Sequence, residues 1–132
     1  MGSRGDSIMG AETFYTIEKG KNAKEAFNRA VEEAQWNHGH GGYSGSIAEK
    51  REYTEFTRPK GMREKTVRTL MHDLMDFHFG DDKKKNRIAK KYPKFPTYTL
   101  TNMAKTFDDK WGPAVCMEVK PNTYYFCGWA SS

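Results

Sequence analysis

The densest run of chemically able residues is His38–Lys50, HGHGGYSGSIAEK in one letter. Two histidines, a tyrosine, two serines and a glutamate are interleaved with Gly39, Gly41, Gly42 and Gly45. Glycine at this density lets the backbone take positive φ and approach another group closely, at an entropic cost in ordering. Most glycine runs are only a helix cap and a turn. This one also carries the amides, hydroxyls and ring of a loop that could hold a polar ligand.

Three chemistries can be tested against it. A phosphate cradle runs strand, glycine loop, helix, so that a positive helix N-terminus meets the phosphate. Here the order is helix, loop, strand, and the helix C-terminus brings partial negative charge, which favours a protonated His38. An anion would need loop amides or cations such as Lys50, Arg51 and Arg58. A metal on His38 and His40 would need further ligands, from Glu49, His72, Asp73 or His78, and Cys116 and Cys127 lack the short spacing of zinc knuckles. Cap and surface histidines are the stronger reading, and no metal or cofactor is expected. For nucleophilic catalysis Ser44, Ser46, His38, His40 and Glu49 are individually suitable. No G-x-S-x-G elbow exists, since Gly42-Tyr43-Ser44-Gly45 has the wrong register. Histidine pairs can cleave phosphodiesters by acid and base, so a nucleotide hydrolase is the alternative to pure binding.

Aromatic supply favours binding. Tyr43, Tyr92, Tyr98, Trp111 and Trp129 fall in or beside loops and strand ends, near cations or amides. A purine needs a flat apolar face, hydrogen bonds to its edge and cations for its phosphates. Tyr92 or Trp111 could stack, Asn102 could read an edge, and Arg87, Lys91 or Lys120 could meet phosphate. Any one of these rings is more often core cover than ligand wall; together they make binding the better expectation than catalysis.

These residues need a frame, and composition bounds it. The chain has 132 residues, enough for one core, with 30% charged and 14% aromatic residues. Mean hydropathy is −0.90, net charge +5 and pI near 9.2. The aromatic content is too high for disorder, and the modest positive excess suits anionic ligands without singling out nucleic acid. No apolar run spans a membrane and no signal peptide is visible, so a reduced cytosolic protein is expected. Residues 1–10 read as a tag or flexible leader, and 11–132 as one domain.

Thr13–Lys19 is rich in β-branched and aromatic residues and reads as a strand. Asn22-x-x-Glu25 resembles a capping box, followed by a helix with Ala23, Ala26, Phe27, Ala30, Val31 and Ala34 on one stripe. Trp36 lies off that stripe, beside the glycine loop. Ile47–Phe56 predicts one strand, or two broken by a bulge. A second helix is expected from about Arg63 to Phe79, on Val67, Leu70, Met71, Leu74 and His78, with Gly80 at C′. Asp81–Lys94 reads as a charge-rich, solvated connection with room for a short helix through Arg87–Lys91; as a nucleic-acid-binding module it is the weaker reading. Tyr98–Phe107 fits strand or helix. Ala114–Lys120 and Tyr124–Ala130 flank Pro121-Asn122-Thr123 as a hairpin, whose register would place Cys116 opposite Cys127 as two buried thiols. The expected fold is α+β: an antiparallel sheet of four or five strands, two main helices packed on it, and a C-terminal β-hairpin.

The segments EEAQWNHGHGGYSGSIAEK, WGPA and YYFCGWAS, on a strand and an alanine-rich helix, are similar to small bacteriophage proteins. Over most of Thr13–Ala130 the chain most resembles the first described type of Thoeris anti-defence "sponge". That resemblance implies a phage protein of the host cytoplasm that sequesters a cyclic ADP-ribose-type signal, or cyclic oligonucleotides, without cleaving it. It implies a homodimer, or a set of dimers, with pockets between subunits, and neither membrane nor nucleic acid as partner. Tyr92 and Asn102 match the base-contacting pair, and Arg58 or Arg68 the phosphate contacts. The family's further arginine near the hairpin is missing here; Lys120 is the nearest cation. Tyr43 and Ser44 complete the expected ligand set.

Overall fold

The computed structural model describes residues 10–39 and 43–132. The expected leader, apart from Gly10, and His40, Gly41 and Gly42 lie outside the described residues. Strand β1 (Ala11–Lys19) leads to helix α1 (Ala23–His38), one turn of 3-10 helix (Ile47–Glu49) and the short strand β2 (Tyr53–Glu55). Helices α2 (Glu64–Phe79), α3 (Asp82–Lys91) and α4 (Thr97–Asp108) precede the hairpin of β3 (Ala114–Lys120) and β4 (Thr123–Ser131). The fold is α+β, as expected. The sheet has the order β1-β4-β3-β2. Two of its pairings are antiparallel, and β2 lies parallel to β3. A parallel neighbour needs a long crossover, which α2, α3 and α4 supply.

Strand periodicity divides the core into two layers. Phe14, Cys116, Tyr124, Phe126 and Ala130 face α1 with its Ala23, Ala26, Phe27 and Ala30. Val115, Met117, Val119, Tyr125 and Cys127 face α2 and α4 on the other side. Small alanines let α1 lie close to the strands. At Gly20 a Cβ would sit 2.5 Å from the Ala26 backbone nitrogen, so the β1–α1 turn accepts no side chain there. The cap takes the expected form: Asn22 Oδ1 accepts from the Glu25 amide at 2.9 Å, and Glu25 accepts from the Lys21 amide at 3.1 Å.

Several expectations are revised. Within Ile47–Phe56 only Tyr53–Glu55 is strand. The Ser46 hydroxyl caps the Ala48 amide and Ile47 plugs the α1-side core, which forces a turn first. Asp81–Lys94 holds a full helix capped by Asp81, not a mere connection. Tyr98–Phe107 is helical, because Leu100, Met103, Ala104 and Phe107 form one buried stripe. Gly80 follows α2 but is extended (φ −77) rather than left-handed. A bulge between Glu118 and Lys120 moves the hairpin register, so Cys116 pairs with Phe126 and Cys127 with Val115. The cysteines are therefore not partners. They are free, buried, and in opposite core layers.

A cleft lined by two exposed rings

The expected ligand residues do not gather at one place. Tyr92 is buried in the α2–α4 layer, and its hydroxyl donates to Asp73 Oδ2 at 2.6 Å. Burial first, and Asp73 second, push its pKa upward. Arg58 is anchored to backbone, donating through Nε to Glu118 O (2.9 Å) and through Nη1 to Met62 O (2.7 Å). Arg68 is exposed on α2, pairs with Glu64 at 2.8 Å and lies over the Tyr125 ring. Asn102 is exposed on α4. Lys120 lines a shallow cleft with Lys19, Lys21 and Arg29 at the hairpin tip. Tyr43 and Ser44 belong elsewhere, beside the last turns of α1.

Tyr43 lines a cleft of about 710 Å³ with Trp111, Gln35, Lys50 and Arg51. Tyr43 is 52% exposed and Trp111 64%, a large apolar area to leave in water. The Tyr43 segment is held by Glu49. One carboxylate oxygen, Oε2, accepts from the Ser44 amide at 3.0 Å and from the Ser44 hydroxyl at 2.7 Å. Burial pulls the Glu49 carboxyl up, but bonds from Ser44 and Tyr43 outweigh it and leave its pKa below the usual value. Ser44 Oγ also lies 2.7 Å from Ser46 Oγ.

The Trp111 segment is held by Lys50, which is only 4% exposed. Its ammonium donates to Gly112 O at 2.9 Å, Asp109 O at 3.0 Å and Lys110 O at 3.4 Å. Burial lowers its pKa to about 8, and Asp109 pulls weakly the other way. The loop beyond α4 is tight in its own right, because the Asp109 side chain accepts from the Trp111 amide at 3.0 Å.

The two exposed rings offer flat faces for stacking, and Arg51 brings a positive charge to the same cleft. Glu49 is already an acceptor of several bonds and is acidic, so it is a weak base toward Ser44. Among the described residues no histidine hydrogen-bonds either serine. His72 stacks on Tyr15 at 4.0 Å and His78 lies 3.4 Å from Asp108, both on α2 across the sheet from α1. No group of three or more His, Cys, Asp or Glu side chains among the described residues is placed for a metal ion. Among the described residues no helix is long and apolar enough to cross a membrane.

Trp111 was legible from sequence as a stacking ring, and Lys50 as a cation near the loop. Gln35 was missed, and so was the anchoring role of Glu49 and Lys50. The spacing Ser44-x-Ser46-x-x-Glu49 is the one local signal for part of it, as a cap with a carboxylate three residues on. Comparison with protein-family models, with curated proteins and with solved structures gives no match.

Proposed function

We propose that the protein captures a nucleotide-type signal, of the cyclic ADP-ribose or cyclic oligonucleotide kind, and holds it unchanged, as a phage anti-defence sponge would. The observation that carries this reading is the pair of exposed rings, Tyr43 and Trp111, lining one cleft. A ring left half in water gains most from a flat ligand that covers it, and base–aromatic stacking contributes about 1–3 kcal/mol per base. The cleft volume of about 710 Å³ falls within the roughly 300–1,000 Å³ of small-molecule sites. Arg51 on the rim offers charge to a phosphate, and Gln35 offers an amide to a base edge. Glu52 opposes an anion on its own side, which directs phosphate toward Arg51.

The reading includes self-association. β1 is an edge strand of nine residues, and no described strand pairs with its outer side. Such an edge is a template for a second copy. The cleft reading is tested by isothermal titration with cyclic ADP-ribose and with a cyclic dinucleotide, followed by heat release of the ligand. Saturable binding with intact ligand recovered supports it; a degraded ligand points to the hydrolase, and absence of heat with both probes overturns it.

A further inference from the structure

The outer edge of β1 is closed at one end only. Its pairing with β4 runs from Ala11 to Lys19 without a bulge. Gly20 N donates to Asn122 O at 3.1 Å, and Ser132 N donates to Gly10 O at 3.0 Å. Antiparallel ladders alternate, so the even-numbered residues turn both backbone groups toward β4 and the odd-numbered ones turn theirs outward. Lys19 belongs to the outward set: its amide donates to Glu18 Oε2 and its carbonyl accepts from Arg29 Nη1, both at 3.3 Å. Those two side chains close the edge there. Among the described residues nothing pairs with the outward groups of Ala11, Thr13, Tyr15 and Ile17.

We propose that this open stretch takes β1 of a second copy, antiparallel and two-fold about Phe14, which joins the two four-stranded sheets into one. This pairing deepens, and rests on, the self-association included in the nucleotide-capturing reading.

The axis position follows from which groups are open. Centred on Phe14, Ala11 lies opposite Ile17 and Thr13 opposite Tyr15. Every open residue then meets an open residue, and about eight hydrogen bonds form between the chains. Moving the axis to Tyr15 sets Ala11 against the closed Lys19 and opposes Glu12 with Glu18, two like charges. Moving it to Thr13 leaves Ile17 without a partner in β1, and moving it to Thr16 does the same to Ala11.

Side chains agree with the Phe14 axis. Tyr15 meets the smaller Thr13, Ile17 meets Ala11, and Glu12 meets the neutral Thr16 rather than another carboxylate. The middle of the edge, Thr13–Ile17, carries no charge and consists of β-branched and aromatic residues. Edges that stay free are usually blunted by proline, lysine or a bulge. The stretch from Ala11 to Ile17 has none of these. Its match to itself makes a second copy the occupant, ahead of an unrelated strand.

The test is made on the whole chain. Sedimentation equilibrium should show monomers exchanging with dimers. Glu12→Cys/Thr16→Cys should oxidise to a covalent dimer, because residues opposed in a non-hydrogen-bonded pair have Cα atoms about 4.5 Å apart, within disulfide reach. The native thiols are buried and do not compete. Glu12→Cys/Glu18→Cys, which bridges only about a Tyr15 axis, should stay uncross-linked. Thr13→Pro removes an outward amide and spares the ladder to β4, so it should weaken the dimer by about tenfold or more. Should that variant fail to fold, hydrogen exchange of the wild type decides: protection of the Thr13, Tyr15 and Ile17 amides should rise with protein concentration, and that of Lys19 should not. A chain that stays monomeric even near millimolar concentration overturns both this pairing and the self-association beneath it. A dimer that bridges through positions 12 and 18, or through neither pair, overturns the Phe14 axis and keeps self-association. Nucleotide binding enters none of these outcomes.

Discussion

Glu49 and Lys50 sit side by side in the chain and hold the two ring-bearing segments, Glu49 through Ser44 at 2.7 Å and Lys50 through Gly112 O at 2.9 Å. The cleft is thereby fixed from its own floor. Its rings stay exposed because the anchors hold the backbone beside them and leave the rings themselves uncovered.

Trp111→Ala and Tyr43→Ala should each weaken nucleotide binding by about 10- to 100-fold, the loss of one stacked face. Both rings are exposed, so urea unfolding should change by less than about 0.5 kcal/mol. Titration calorimetry and denaturant melts of the same samples check both halves.

Lys50 predicts a rise of stability in alkali. Its pKa is about 8 in the fold against an ordinary 10.5. The unfolded chain therefore binds more protons between these values, and stability increases as pH climbs from about 8 to about 10.5. The same contribution is lost as pH falls through 8, and for this buried group its full size is of order 3 kcal/mol. Denaturant melts across that window should show the slope in wild type and lose it in Lys50→Met.

Glu18 predicts the opposite trend at lower pH. Burial first, and then the neighbouring Glu33 carboxyl, raise its pKa from 4.5 to about 7. The folded chain binds the extra proton in that window, so this contribution is present below about pH 4.5 and is lost as pH rises through 7. Glu18→Gln, which mimics the protonated form, should flatten the fall in thermal midpoint over that range.

Cys116 and Cys127 should be inert in the native state, since both are fully buried and burial raises both thiol pKa values. A thiol reagent should titrate neither until denaturant is added, and then both together. Oxidation of the folded protein should form no intramolecular bridge.

Local signals made some of this fold legible, and distant ones hid the rest. The Asn22 cap and alanine stripe specify α1, and Ala114–Lys120 with its Pro121-Asn122 turn specifies the hairpin, because all the deciding residues are near neighbours. The bulge at Glu118/Lys120 is not a local preference, and missing it misplaced the cysteines. β2 was read too long, as part of Ile47–Phe56, because its three residues are strand only through pairing with β3. The cleft was half visible: Tyr43 and Trp111 read as rings near loops. Their anchoring by Lys50 was not, since its acceptors lie about 60 residues away.

The central claim is that Tyr43 and Trp111 enclose a nucleotide, and fluorine NMR of the whole chain labelled with fluorotryptophan, at pH 7, tests it most directly. On titration with cyclic ADP-ribose or a cyclic dinucleotide, the Trp111 resonance should shift saturably while that of Trp129 stays fixed, and Tyr43→Ala should weaken the response. A Trp111 resonance unmoved by millimolar concentrations of either ligand would contradict the account.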